Sequence, residues 1–261
     1  MPLFKRTVLE LKELGPSFVT LTYGAGGSAR DRTIETAGMI RNELGLETAA
    51  HLTCLVHTRG EISGILDRLR SLRIDTLVAL RGDVPKDRPD LSAGGGDFRH
   101  AVDLVEFVKR RGGFDMAVAG YPEGHPESPS KDADVGRLRE KVDAGGGWVI
   151  TQLFFDNRHY FDFVARAREA GIRCPIVPGI MPVTSFAQIQ KFTGMCGASL
   201  PEEMARTLES IQEDKEAVVR YGIEHAHKQC AELLAAGAPG IHFYTLNRSR
   251  STAVVLSRLP R

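Results

Sequence analysis

The sequence lacks the features that define membrane-spanning and secreted proteins. No apolar run in its 261 residues reaches membrane-spanning length, and the first ten residues lack the apolar core of a signal peptide. Its four cysteines have no repeated spacing, which is typical of reduced thiols and predicts a cytoplasmic protein. The net charge is only +1, so we expect no attraction to nucleic acid or to a membrane surface based on bulk charge.

Seven short apolar segments alternate with helix-like segments along the chain. Most are continuous apolar runs, which is typical of parallel strands buried on both faces. These predicted strands lie at residues 18–23, 49–55, 76–80, 116–121, 148–155, 175–180 and 241–246. The alternation predicts an α/β fold, a (β/α)8 TIM barrel, in a single domain of residues 1–261.

An eight-stranded barrel needs one more strand before the predicted opening helix at residues 3–14. We therefore expect the first β-strand to be missing from this chain. A homo-oligomer, in which a second copy supplies the missing strand, is an alternative arrangement.

Polar residues follow several of the predicted strands, where ligands bind in such folds. They include Arg81-Gly82-Asp83, Tyr121-Pro122-Glu123-Gly124-His125 and Asn247-Arg248. Gln152 lies inside an apolar strand, so its amide needs partners that either a ligand or the backbone can supply. The glycine-rich loop at residues 87–98 is long enough to cover a site.

Two other patterns suggest sites less specifically. Residues 24–29 fit the dinucleotide pattern G-x-G-x-x-G/A, but the next strand does not end in the acidic residue that this pattern needs, so a tight glycine turn is preferred. His51, Cys54 and His57 suggest a metal, but a spacing of three on a strand places His51 and Cys54 on opposite sides. We expect no metal.

Together these segments resemble methylenetetrahydrofolate reductase of the bacterial, single-domain kind. The resembling blocks follow the same order and cover nearly the whole chain: residues 18–28, 30–33, 51–54, 79–83, 121–126, 141–145, 150–156, 178–182 and 242–248. The resemblance implies a TIM barrel that holds FAD and takes electrons from NADH or NADPH. It implies reduction of 5,10-methylenetetrahydrofolate to 5-methyltetrahydrofolate through the flavin, in one-carbon metabolism and methionine biosynthesis.

The resemblance also implies roles for individual residues. Cofactor-binding positions are Thr22, Tyr23, Ala25, His51, Arg81, Gly82, Asp83, His100, Gly120, Tyr121, His125, Asp134 and Lys141. Folate-binding positions are Asp83, Gln152, Gln188, Phe192 and Arg248. Asp83 would be the catalytic residue, because its charge would tune the flavin and stabilise a cation developing on the folate. Phe192 would stack on an aromatic ring of the folate, and Arg248 would bind the folate's glutamate carboxylate.

The sequence departs from the family at several positions. It has no Phe-Glu-Phe-Phe-Pro-Pro segment, whose Glu is the family's general acid, and Glu123 is the nearest substitute by position. His100 replaces a usual Tyr, Gly120 a usual Ala, and Arg137 a usual Asn near the flavin. Two alternatives follow: a flavin-independent reductase of the same family, or a catalytically impaired barrel that binds folate or flavin.

Overall fold

The computed structural model describes residues 3–23, 27–83 and 96–259, and ten helices and seven strands lie in these ranges. The strands are β1 (Val19–Leu21), β2 (Thr48–Thr53), β3 (Thr76–Leu80), β4 (Asp115–Gly120), β5 (Trp148–Leu153), β6 (Ile176–Ile180) and β7 (His242–Phe243). The helices are α1 (Leu3–Lys12), α2 (Gly27–Asn42), α3 (Arg59–Ser71), α4 (Ala101–Arg111), α5 (Lys131–Asp143), α6 (Asn157–Glu169), α7 (Phe186–Cys196), α8 (Glu202–Ile211), α9 (Lys215–Ala235) and α10 (Arg250–Ser257). Within the described ranges, none of these helices is both long and apolar enough to span a membrane.

The chain divides into two compact units. The N-terminal unit comprises Gly15–Ala119 and Glu140–Trp148, and the C-terminal unit comprises Met1–Leu14, Gly120–Arg139 and Val149–Arg261. The α/β class is confirmed, since parallel strands alternate with helices as in a TIM-type barrel. The single domain and the lost first strand stay predictions.

The N-terminal unit is built on parallel strands that pair in chain order. β1 pairs with β2, β2 with β3 and β3 with β4. Buried leucines and isoleucines of α3, among them Ile62 and Leu66, form part of the core, together with strand residues such as Leu52 and Leu77. Helix α3 begins with a capping box: Thr58 accepts a hydrogen bond from the N–H of Glu61, whose side chain accepts one from the N–H of Thr58.

The C-terminal unit contains the parallel strands β5, β6 and β7. A hydrophobic cluster joins the end of β5 and the segment after β6 to helices α7, α8 and α9, through residues such as Phe155, Val183, Ile189 and Leu208. Gly222 of α9 lies so close to this segment that an added Cβ would be 2.0 Å from the carbonyl oxygen of Val183. Helix α9 is therefore packed directly on the backbone that leads into α7.

The last strand differs most from its predicted length. β7 covers only two residues, although the apolar pattern predicts residues 241–246. The N–H of Tyr244 still donates to Ile180, but Leu246 and Asn247 have left-handed φ angles of 49° and 59°. A left-handed backbone cannot continue a strand, so the chain turns away and leaves Arg248 in a loop.

Candidate functional site

Several predicted residues of the N-terminal unit lie at the carboxyl ends of β1, β2 and β3. Tyr23 follows β1, and its hydroxyl lies 3.1 Å from Nε2 of the buried His57. Nδ1 of His57 lies 3.0 Å from the carbonyl oxygen of Leu55, which can only accept, so Nδ1 donates to it, and in the neutral ring Nε2 accepts from Tyr23. His57, which the metal hypothesis considered, therefore orients Tyr23. Thr22 is exposed, and its carbonyl accepts from Thr33.

The turn after β3 approaches the end of β2 closely. Gly82 has a φ of +88°, and an added Cβ would be 2.9 Å from Cβ of Thr53. The hydroxyl of Thr53 is buried and has no hydrogen-bond partner among the described residues. Thr53 lies two residues after His51 on β2, so both side chains share one strand face. Sequence reasoning missed Thr53, although its position at the end of a strand could have indicated it.

Arg81, His100 and Lys141 add polar groups to the same unit. The half-buried Arg81 accepts the N–H of Leu55 through its carbonyl, and Asp83 is exposed two residues later. His100 precedes α4, and its carbonyl lies 3.4 Å from Sγ of Cys54. Nζ of Lys141 donates to the carbonyl of Ala119 in β4 at 2.6 Å.

Some predictions cannot be compared with the described residues. Ala25 and residues 87–95 of the predicted covering loop lie outside them. Among residues 3–23, 27–83 and 96–259, no three His, Cys, Asp or Glu side chains are grouped so that they could hold a metal ion. Burial raises the pKa of the Cys54 thiol to about 12, so this sulfur stays protonated at neutral pH.

In the C-terminal unit, the loop after β4 brings two predicted cofactor residues together. The rings of Tyr121 and His125 pack edge to face, with centroids 4.6 Å apart. Asp134 is buried in the first turn of α5. The departure at Gly120 has a packing explanation, because a Cβ there would be 2.7 Å from Cζ of Phe163.

Gln152 lies at an irregularity in β5. The register between β5 and β6 shifts between Ile150 and Leu153, and the N–H of Leu153 donates to Oε1 of Gln152 at 2.9 Å. The hydroxyl of Thr151 accepts from the N–H of Gly179, and the hydroxyl of Tyr244 donates to the carbonyl of Thr151. The backbone thus satisfies the amide oxygen of Gln152, while its NH2 group has no acceptor among the described residues.

The remaining predicted folate residues lie on α7 and after β7. Gln188 is in the first turn of α7, where its N–H donates to the N-cap residue Ser185. Phe192, one turn later, packs against the hydrophobic cluster and is half-buried. Arg248 is exposed and lines a small recess with Pro182, Thr184 and Tyr244, among other residues.

Glu123, the suggested substitute acid, already has backbone and side-chain partners. Both of its carboxylate oxygens accept the N–H of Ser199 at 3.0 Å, and the hydroxyl of Ser199 also donates to it. Nε2 of His159 lies 3.4 Å from the same carboxylate. Glu123 therefore forms a structural contact with Ser199 and His159, which argues against a role as general acid.

The ring of His242 gives the C-terminal unit a predicted dependence on pH. Its Nδ1 is buried, and burial lowers the pKa of His242 to about 4, against about 6.5 in an unfolded chain. As the pH falls from about 6.5 to 4.5, the unfolded chain gains a proton that the folded chain excludes, so the free energy of unfolding falls by about 2 kcal/mol. Above about pH 7.5 both states are unprotonated and the contribution is constant.

Urea unfolding at a series of pH values measures this effect. The variant His242→Gln should lose less stability between pH 6.5 and 4.5 than the wild type, by about 2 kcal/mol. His227→Gln controls for the loss of an imidazole, since His227 is a half-buried residue of α9 near the carbonyl of Arg258. Equal pH dependence in the wild type and in His242→Gln would show that the ring is accessible to protons in the folded state.

Parallel strands alternate with helices, and polar side chains follow the strands, so the protein is of the α/β class and its element order is consistent with a TIM-type barrel. A protein from Clostridium thermocellum that binds two copies of 5-methyl-5,6,7,8-tetrahydrofolic acid has a similar fold, with a TM-score of 0.66 and 14% sequence identity. The alignment covers 98% of this chain and 87% of that chain. The chain belongs to the methylenetetrahydrofolate reductase family, whose model matches residues 2–260.

Curated relatives of two lengths support this assignment. The chain is 39% identical to the 5,10-methylenetetrahydrofolate reductase of Escherichia coli over 251 residues, which cover 95% of this chain and 82% of the relative. It is 39% identical to methylenetetrahydrofolate reductase (NADH) 1 of Arabidopsis thaliana over 260 residues, again 95% of this chain. The match spans less than half of the plant relative, 44% of its length.

Proposed function

We propose that the chain is an oxidoreductase that reduces 5,10-methylenetetrahydrofolate to 5-methyltetrahydrofolate with NADH or NADPH, through bound FAD. Membership of the reductase family over residues 2–260 carries this proposal. The reaction transfers one hydride, which carries two electrons, from NAD(P)H to each folate and consumes one further proton. We further propose that the reaction takes place in the cytoplasm and supplies methyl groups for methionine synthesis. NADH is the first electron donor to test, because the names of the plant relatives include NADH.

The N-terminal unit offers groups that suit FAD. The buried hydroxyl of Thr53, unsatisfied among the described residues, is a group for which a bound ligand can provide a partner. Gly82 lets the turn that carries Arg81 and Asp83 pack against the end of β2, because an added Cβ would be 2.9 Å from Cβ of Thr53. Arg81 and Lys141 are cations of the kind that bind diphosphates. When bound, FAD would accept hydride from NAD(P)H and pass it to the folate.

The C-terminal unit offers further cofactor groups. Tyr121 and His125, whose rings fix one another, are proposed to contact FAD from the loop after β4. Gly120 stands where the family usually has alanine. This difference does not argue against FAD, because Phe163 occupies the space that the alanine methyl group would fill. We therefore prefer the flavin-dependent reductase to the flavin-independent alternative.

The protein's own side chains would bind and orient the folate. Asp83 is exposed after the Gly82 turn, where its carboxylate can stabilise positive charge on the folate. Gln152 can donate from its NH2 group, since its oxygen is held by Leu153. Gln188 and Phe192 are proposed to contact the folate from one face of α7, and Arg248 to bind its glutamate carboxylate.

Product analysis tests the proposal. The FAD-loaded chain, supplied with NADH and 5,10-methylenetetrahydrofolate, should form one 5-methyltetrahydrofolate for each NADH oxidised, as measured by mass spectrometry. The same chain stripped of FAD should form none. Product without FAD would favour the flavin-independent reductase, and folate binding without product would favour the impaired barrel.

A further inference from the structure

Glu123, His159 and Ser199 form a cluster in the C-terminal unit, here called the Glu123 latch. The Glu123 side chain is only 13% exposed, and its carboxylate accepts from the N–H and the hydroxyl of Ser199. Nε2 of His159 lies 3.4 Å from both the Glu123 carboxylate and the Ser199 hydroxyl. The latch therefore joins the loop after β4, the first turn of α6 and the segment that follows α7.

A second contact brings the same two segments together. Gly197 ends α7 with a φ of +75°, and an added Cβ there would be 2.9 Å from Cγ of Pro126. Pro126 follows the loop that carries Glu123, so the end of α7 meets this loop at two points. With two contacts, the angle of the helix as well as its position is constrained.

The chemistry of the latch requires a carboxylate. Both oxygens of Glu123 face donors, and hydrogen bonds to a charged acceptor are stronger than neutral ones. An amide at this position would place an NH2 group against the N–H of Ser199. Glu123→Gln is therefore a nearly isosteric change that breaks the latch without leaving a cavity.

The two sides of the latch carry residues with different proposed partners. The loop carries Tyr121 and His125, assigned above to FAD, and α7 carries Gln188 and Phe192, assigned to folate. We propose that the Glu123 latch is a positioning device that holds α7 at the angle needed for folate binding, an inference that rests on the proposed function. Glu123, Ser199 and His159 act through α7 and need not touch the folate.

Hydrogen exchange tests the latch directly in the cofactor-free chain. Glu123→Gln should speed exchange of the α7 amides by about tenfold, given the strength of hydrogen bonds to a charged group. Ser199→Ala, which removes only the hydroxyl, should have a smaller effect, and adding it to Glu123→Gln should cost little more. Glu224→Gln is the matched control, because it removes a carboxylate from the ion pair that joins α9 to Arg258, the residue after α10.

Ligand binding separates positioning from general stability. In the FAD-loaded protein, Glu123→Gln should raise the Kd of 5-methyltetrahydrofolate by about tenfold. The rate of flavin reduction by NADH should be unchanged, and Ser199→Thr, which keeps the hydroxyl, should retain tight folate binding. A lower melting temperature with wild-type folate affinity would overturn the proposal.

The proposed function and the latch can fail separately. If the wild type binds neither FAD nor folate, the reductase assignment fails, while the exchange rates of α7 still decide whether the latch exists. If the wild type is an active reductase and Glu123→Gln exchanges like the wild type, the latch alone is wrong. Should Glu123→Gln fail to fold, Ser199→Ala provides both measurements.

Discussion

Asp83→Asn should slow the oxidation of reduced flavin by 5,10-methylenetetrahydrofolate about 100-fold, the size of effect seen when one electrostatic contact to a transition state is removed. The substitution keeps the shape of the side chain and removes its charge. Positive charge develops on the folate as its five-membered ring opens, so this step loses the carboxylate's stabilisation. The folate takes no part in the reduction of the flavin by NADH, so the rate of that half-reaction should change by less than about threefold.

Stopped-flow absorbance measures the two half-reactions separately. Asp75→Asn provides the control, since Asp75 is an exposed carboxylate just before β3, at the opposite end of the strand from Asp83. The control should match the wild type in both half-reactions. Equal slowing of the two half-reactions by Asp83→Asn would contradict the role proposed for Asp83.

Gly222→Ala should destabilise the chain by about 2 kcal/mol or more, the usual cost of overpacking. The added methyl group would overlap the backbone of Val183, with its oxygen at 2.0 Å and its nitrogen at 2.9 Å. Backbone atoms cannot rotate away, so α9 and the segment leading into α7 must separate. This cost exceeds the gain of about 1 kcal/mol that alanine brings to a helix interior.

Urea unfolding of matched variants measures this effect. Gly64→Ala is the control, because Gly64 is exposed on α3 and an added Cβ meets nothing within 4 Å. It should stabilise the chain by up to about 1 kcal/mol, so the two substitutions should have opposite signs. If Gly222→Ala is as stable as the wild type, the contact between α9 and Val183 is looser than described.

Local sequence patterns identify the strands well where their ends are sharp. β3 coincides with its predicted residues, 76–80, because the apolar run stops abruptly at Arg81. β7 was predicted too long because the apolar character of residues 241–246 continues through a turn with left-handed residues. The apolar pattern does not locate the end of this strand, because Leu246 is 44% exposed and has a left-handed φ angle of 49° that its residue type does not indicate.

Contacts between distant residues explain what sequence reasoning missed at the site. His57 orients Tyr23, which lies 34 positions earlier, and Glu123 binds Ser199, which lies 76 positions later. Neither pairing follows from local spacing, so His57 was considered as a metal ligand and Glu123 as an acid. The fit of Gly120 beside Phe163 is likewise a property of packing.

An anaerobic experiment on the FAD-loaded chain tests the central claim most directly. NADH alone should bleach the flavin absorbance, and after its removal 5,10-methylenetetrahydrofolate should restore the absorbance with formation of 5-methyltetrahydrofolate. This result would establish that electrons pass from the nicotinamide to the folate through the flavin. Absorbance that stays bleached after addition of the folate would contradict the account.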